Sequence, residues 1–279
     1  METMSNAEYR KKEGISASDL KLMMKSMAKW KYAQDHPEDN DSEAFLFGRA
    51  YHKLMLEPDD FDNEFIVSPK FDRRTKEGKA AYEEFLKKAE GKDVINEETY
   101  QKLLEMQIAL YNTPFVKLLI KGEHEKSFFW EDEKTGIPCK CRPDSFGQIK
   151  ENYICVDLKT TNDAETDHFM RDALKFGYDI QSAHYCEGLE KVYKKPFKFI
   201  FIAQEKVAPY LVNVLEADEY FMKSGYELRE KLLEDYKTAR ETGIYEGYMT
   251  EKSGINSLSV PAWIKNGLEM DDETEGDFE

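Results

Sequence analysis

Cysteine is scarce in this chain. Its 279 residues include four, Cys139, Cys141, Cys155 and Cys186, and none forms a Cys-x-x-Cys pair. A disulfide framework of the kind that staples small secreted domains is thereby excluded, as is a cysteine set that could ligate an iron–sulfur cluster. Reduced core thiols and a cytoplasmic setting are the expectation. Long apolar runs are also missing: no stretch approaches the roughly 18 residues that a membrane span requires. Residues 1–14 are polar and charged, unlike a secretory leader. Basic residues are in deficit, 40 against 56 acidic ones, for a net charge of −16, which argues against a uniformly basic nucleic-acid surface. Internal repeats are absent.

What is present is a globular composition, 41% hydrophobic and 34% charged, in a chain long enough for an ample buried core. The charge is unevenly placed. Residues 269–279 carry seven acids and no base, whereas residues 10–31 carry seven bases against Glu13 and Asp19. The acidic tail reads as disordered, and residues 1–268 as a single domain. An acidic protein can still hold DNA where its bases line one groove and metal ions offset its carboxylates.

Ser16 and Asp19 form a capping-box-like helix start, followed by Leu20, Met23, Met24, Met27 and Trp30 at helical spacing. Further helices are predicted over 43–56, after 72 to about 91, and over 96–111. These make a helical section over about 15–112. The pattern changes near Gly122. Strands are predicted at 127–130, 139–141 and 153–158, then helices at 164–175 and 179–193, strands at 197–203 and 210–214, and a long helix over 217–242. This order describes an α/β fold: a mixed central β-sheet flanked by helices over about 122–242, with an N-terminal helical section.

The chemistry concentrates in Arg142-Pro143-Asp144 and Val156-Asp157-Leu158-Lys159. Residues two apart on a strand share a face, so Asp157 and Lys159 are expected to look into one cleft. Asp144 comes alongside if the strands pair. Two carboxylates on one face suit a hard divalent cation, and a neighbouring ammonium can position water or stabilise charge on a phosphate. An isolated Asp-x-Lys triplet is more often a plain salt bridge, so its company matters.

Pro143-Asp144 and Asp157-Leu158-Lys159, with the two acids 13 residues apart, resemble the PD-(D/E)xK nuclease signature. Gln181 and Tyr185 resemble the QxxxY motif of RecB-type nucleases. Gly48-Arg49-Ala50-Tyr51-His52 resembles the helix that presents a metal-binding histidine in that group. Ile15-Ser16-Ala17-Ser18-Asp19-Leu20, Phe47 to His52, and Cys139 to Asp144 resemble phage and prophage exonucleases of the RecE (exonuclease VIII) kind, relatives of lambda exonuclease. The likeness extends from about Ile15 to Thr242.

The resemblance implies a restriction-endonuclease-like core binding catalytic Mg²⁺, with Mn²⁺ as a possible substitute, through His52, Asp144, Asp157 and the Leu158 carbonyl. Lys159 would position the water. Glu125, with Glu123 as the competing candidate, would serve a second metal, and Gln181 and Tyr185 would line the site. Arg49 and Arg142 are candidate phosphate contacts, since guanidinium forks suit phosphate oxygens. Ser16, Ser18 and Lys21 are candidates for holding a 5′ phosphate. The implied activity is 5′→3′ digestion from ends of linear duplex DNA in phage-type recombination, by a trimeric or tetrameric ring working with a single-strand annealing protein. Two alternatives stay open: another PD-(D/E)xK nuclease, acting on flaps or as an endonuclease, and a catalytically inert DNA-end-binding module.

Overall fold

In a computed structural model, the described residues are 4–37, 42–248, 255–256, 258–260 and 265. The acidic stretch 269–279 lies outside them. The first elements are α1 (Asn6–Lys11), α2 (Ala17–Lys25), α3 (Met27–Asp35) and α4 (Glu43–Leu56). A 3₁₀ turn then leads to α5 (Phe61–Glu64), β1 (Phe65–Ser68), α6 (Lys76–Lys88), β2 (Asp93–Asn96), α7 (Glu97–Asn112) and α8 (Val116–Leu119). The strands β3 (Glu123–His124), β4 (Phe128–Glu131), β5 (Pro138–Cys141), β6 (Ser145–Ile149) and β7 (Asn152–Thr161) follow. The chain continues through α9 (Thr166–Lys175), α10 (Tyr178–Tyr193), β8 (Phe197–Glu205), β9 (Val212–Glu216) and α11 (Glu219–Thr242).

The central sheet has the order β3-β6-β7-β8-β9. It is mixed: β7 and β8 run parallel, and the other pairs run antiparallel. Alternation along β7 builds two cores. Ile154, Val156 and Leu158 point into a cluster with Tyr51, Leu54 and Met55 of α4 and Leu103, Met106 and Leu110 of α7. Cys155 joins the opposite face, where Phe199 and Phe201 of β8 meet Phe169 of α9 and Cys186 and Leu189 of α10. Each fully buried Leu, Ile or Phe contributes about 1.5–3 kcal/mol, so the two faces clamp β7 at the centre of the molecule.

Three expectations need correction. The apolar stripe from Ser16 to Trp30 forms two helices, broken at Ser26, whose hydroxyl accepts the Lys29 N–H and starts α3 afresh. The hairpin β4–β5 stands apart as its own two-stranded sheet. The strand that carries Asp144 to β7 is instead β6, which periodicity missed because Gly147 and Gln148 interrupt any apolar alternation. The helical section divides between the two sides of the sheet. Leu20, Met23 and Trp30 of α2 and α3 pack with Ile180 of α10 and Leu232 and Leu233 of α11, whereas α4 and α7 cover the other side of the sheet.

Candidate active site

β6 and β7 pair in the register Ser145↔Val156. β6 begins at Ser145, opposite Val156, while β7 runs on beyond it, and Asp144 stands beside the unpaired edge of β7. Its Oδ2 accepts the Leu158 N–H at 2.7 Å, standing in for the ladder bond that β6 no longer makes. The N–H and C=O of one extended residue point to the same side of its strand, so the Leu158 carbonyl is aimed at the same edge.

α4 reaches this edge from the first core face. Tyr51 anchors it there: its ring is fully buried and its hydroxyl donates to Gln204 Oε1 of β8 at 2.8 Å. The next residue, His52, points its Nδ1 at Asp144 Oδ1, 3.3 Å away. Glu125 arrives from the turn between β3 and β4, in a left-handed conformation (φ +50°). Its N–H donates to the Asp144 carbonyl at 3.4 Å, and its Oε2 pairs with Arg142 Nε at 2.7 Å. Ligand atoms of His52, Glu125 and Asp144 lie within 4.8 Å of one another. Glu123 instead sits exposed on β3.

Asp157 and Lys159 share the other face of β7, as their spacing predicts, and form an ion pair there. Asp157 is almost wholly buried, and its Oδ1 accepts the Gln181 side-chain amide. Gln181 Oε1 in turn accepts Lys21 Nζ. Tyr185, one turn along α10, packs into the second core near Phe199. The structure therefore makes two adjoining groups. His52, Glu125 and Asp144 gather at the strand edge, while Asp157, Lys159, Gln181 and Lys21 form a chain on the face of β7.

The electrostatics couple these groups. Burial disfavours the charged His52 ring, but the Asp144 carboxylate outweighs it and lifts His52 to about 9. Burial and then Asp144 push Glu125 up to about 7, against the pull of Arg142. Asp144 is held low: burial opposes this, but His52, Lys159 and the Leu158 N–H prevail. Burial, reinforced by Asp144, raises Asp157 despite its lysine partner. Lys159 also rises, because Asp157 and Asp144 overcome its own burial. Lys21 falls to about 7, through burial and then repulsion from Lys159.

Two carboxylates and an imidazole converging within 4.8 Å match the ligand chemistry of a divalent cation. Glu125 gives an internal test. Burial and then Asp144 drive it toward neutrality, and a cation between the two acids would relieve the Asp144 repulsion. The residues present thus fit a metal.

The remaining candidates are dispersed. Arg49 pairs with Asp93 at the start of β2 and lies 5.8 Å from the Phe65 ring. Arg142 stays at the site through Glu125. Ser16 caps α2 by accepting the Asp19 N–H, and Ser18 is exposed. Both line a cavity of about 760 Å³ that Arg10, Lys12, Lys31 and Arg240 also border. Tyr9 lines that cavity too and lies 6.0 Å from the Arg142 guanidinium, connecting it to the site. Sequence reasoning missed Tyr178, whose ring has Lys159 Nζ 4.8 Å and Lys21 Nζ 4.9 Å from its centre. Its position one helical turn before Gln181 was the available signal.

A family model described as a PDDEXK-like domain of unknown function (DUF3799) matches residues 16–250. The chain belongs to this PDDEXK-like family. Its membership of the PD-(D/E)xK nuclease superfamily agrees with the sheet just described. The crystal structure of a protein from Eubacterium rectale, provisionally named an exonuclease, aligns over 95% of this chain and 98% of its own, with a TM-score of 0.61 and 15% identity. That likeness is one of fold. The structure of SSO0001 aligns over 68% of this chain and 85% of its own, at 14% identity and a TM-score of 0.30. No curated protein matches the chain. Among the described residues, no helix is long and apolar enough to cross a membrane.

Proposed function

We propose that this protein is a divalent-metal-dependent DNA exonuclease that hydrolyses phosphodiester bonds from the ends of linear duplex DNA. The observation that carries this reading is the gathering of His52, Glu125 and Asp144 at the open edge of β7, beside the Asp157–Lys159 pair. His52, Asp144, Asp157 and the Leu158 carbonyl would hold Mg²⁺, or Mn²⁺ in its place, with Glu125 serving a second ion. Such an ion supplies charge neutralisation at the phosphate and a more acidic bound water.

The chain's own groups do the rest. Lys159, held charged by two carboxylates, orients the attacking water and faces the charge developing on the phosphate. Gln181 holds Asp157 in one rotamer, and Tyr185 packs behind it. Arg142 is tied to Glu125 and available to a phosphate oxygen as a planar fork. Ser16 and Ser18, on the rim of the basic cavity, receive the terminal phosphate, and Arg49 supports the strand nearby. Residues 1–268 act as one nuclease domain. The resemblance to RecE-type exonucleases supports 5′→3′ polarity, a trimeric or tetrameric ring, a single-strand annealing partner, a role in phage-type recombination and a cytoplasmic location. Encirclement would also let a chain of net charge −16 keep hold of DNA.

The test is digestion of 5′-labelled linear duplex DNA with Mg²⁺, with chelator, and with Lys159→Ala. Mononucleotide release that needs both metal and Lys159 supports the reading. Cutting of closed circular DNA would make the protein an endonuclease, and binding without cleavage would make it an end-binding module.

A further inference from the structure

Lys21 is a candidate phosphate contact by its place in the N-terminal segment, yet its side chain is turned inward. It projects from α2, which packs on α10. Its Nζ donates to Gln181 Oε1, and Gln181 Nε2 donates to Asp157 Oδ1. Asp157 then pairs with Lys159. The four side chains form one line, with an ammonium at each end. Both ammonium groups flank the Tyr178 ring, at 4.9 and 4.8 Å from its centre. At the foot of Lys21, Gly177 adopts φ +67°, and a Cβ there would press to 3.2 Å of Lys21 Cγ.

The chemistry of the line has one direction. A lysine Nζ donates whether charged or neutral, and an ionised carboxylate can only accept. Gln181 is therefore oriented by its neighbours on both sides: its oxygen must face Lys21 and its nitrogen must face Asp157. Gln181 is 4% exposed, so water does not readily replace either partner. Without Lys21 the amide oxygen is left buried and unsatisfied, and the amide is free to turn away from the carboxylate.

We propose that Lys21 is a positioning residue: it locks the side-chain amide of Gln181 so that Gln181 holds Asp157 in its working rotamer. The assignment rests on the nuclease reading above and adds to it a residue from α2, far from the signature motifs in sequence. Lys21 acts through its hydrogen bond to Gln181, and its charge is secondary.

Two series of measurements on the full chain test this. The first is Mn²⁺ binding by calorimetry for wild type, Lys21→Met, Gln181→Leu and the double variant. Groups that orient a metal ligand typically govern 10–100-fold in affinity or activity. Lys21→Met is expected to weaken Mn²⁺ binding about 10-fold, as does Gln181→Leu, and the double variant should be no worse than Gln181→Leu alone. Unchanged affinity in Lys21→Met, or losses that multiply in the double variant, overturns the proposal. The second is DNA digestion by Lys21→Met and Lys21→Gln. The glutamine amide can still donate to Gln181 without a charge, so Lys21→Gln is expected to keep kcat within about 3-fold while Lys21→Met loses about 10–100-fold, with KM little changed in either. Equal losses in both variants, or losses confined to KM, would make Lys21 a direct DNA contact instead. Should Lys21→Met not fold, Lys21→Gln alone decides between the two. A wild-type protein that cuts no DNA would defeat the nuclease reading, while the Mn²⁺ cycle would still test the Lys21–Gln181–Asp157 line.

Discussion

Metal binding at this site is expected to expel protons, and their number is set by two side chains. In the metal-free protein His52 titrates at about 9 and Glu125 at about 7. A metal ligand must be deprotonated. At pH 7 His52 lies two units below its pKa, so proton competition lowers affinity about 100-fold, or about 2.7 kcal/mol at 1.36 per unit. Release at pH 7 is about 1.5 protons, one from His52 and about half of one from Glu125. At pH 9 it falls to about 0.5, nearly all from His52. The assay is calorimetric titration with Mn²⁺ in buffers of different ionisation enthalpy at both pH values. His52→Ala should abolish the release at pH 9. The stability of the metal-free protein follows the same shift. The folded pKa is above the unfolded value of about 6.5, so the stabilisation by the His52–Asp144 pair is fully present below about 6.5 and is lost as pH rises through about 9. Heats at pH 7 that do not depend on the buffer, or a His52→Ala variant that still releases protons at pH 9, would refute the assignment of His52 to the metal.

Three other outcomes follow from the geometry. Lys159→Met leaves the almost wholly buried Asp157 carboxylate without its cation and should cost about 3–5 kcal/mol in denaturant unfolding, whereas Lys159→Met with Asp157→Asn should recover most of that loss; equal stabilities would show that the pair is only nominal. Arg229, 4% exposed, joins Asp132, Glu187 and His184 at 3.2, 2.7 and 3.1 Å. Arg229→Met strands these groups and is expected to destabilise by about 3–5 kcal/mol, measurable as a lower denaturation midpoint at unchanged slope. Gly225 lets α11 lie against α10, where an added Cβ would overlap the Asp179 carbonyl. Gly225→Ala should cost about 1–3 kcal/mol or more by thermal unfolding, and a neutral result would mean that the two helices slide apart freely.

The sequence alone determined the local and periodic features. Ser16 with Asp19 marked the start of α2, and the i, i+2 spacing put Asp157 and Lys159 on one strand face. The apolar runs of β7 and β8 read as buried strands because alternation is visible within a few residues. The tertiary structure decided which of those groups meet. His52, Glu125 and Asp144 come from a helix, a turn and the residue just before a strand, and they converge because β6 begins only at Ser145, opposite Val156, while β7 continues to Thr161. Register sets that offset, and register depends on pairing between distant segments. The same holds for Lys21. Its place in the N-terminal segment that resembles RecE-type exonucleases made it a candidate phosphate contact, and only the packing of α2 on α10 turned it inward to Gln181. Burial then gave that hydrogen bond its weight, because a polar group without water must find its partner in the fold.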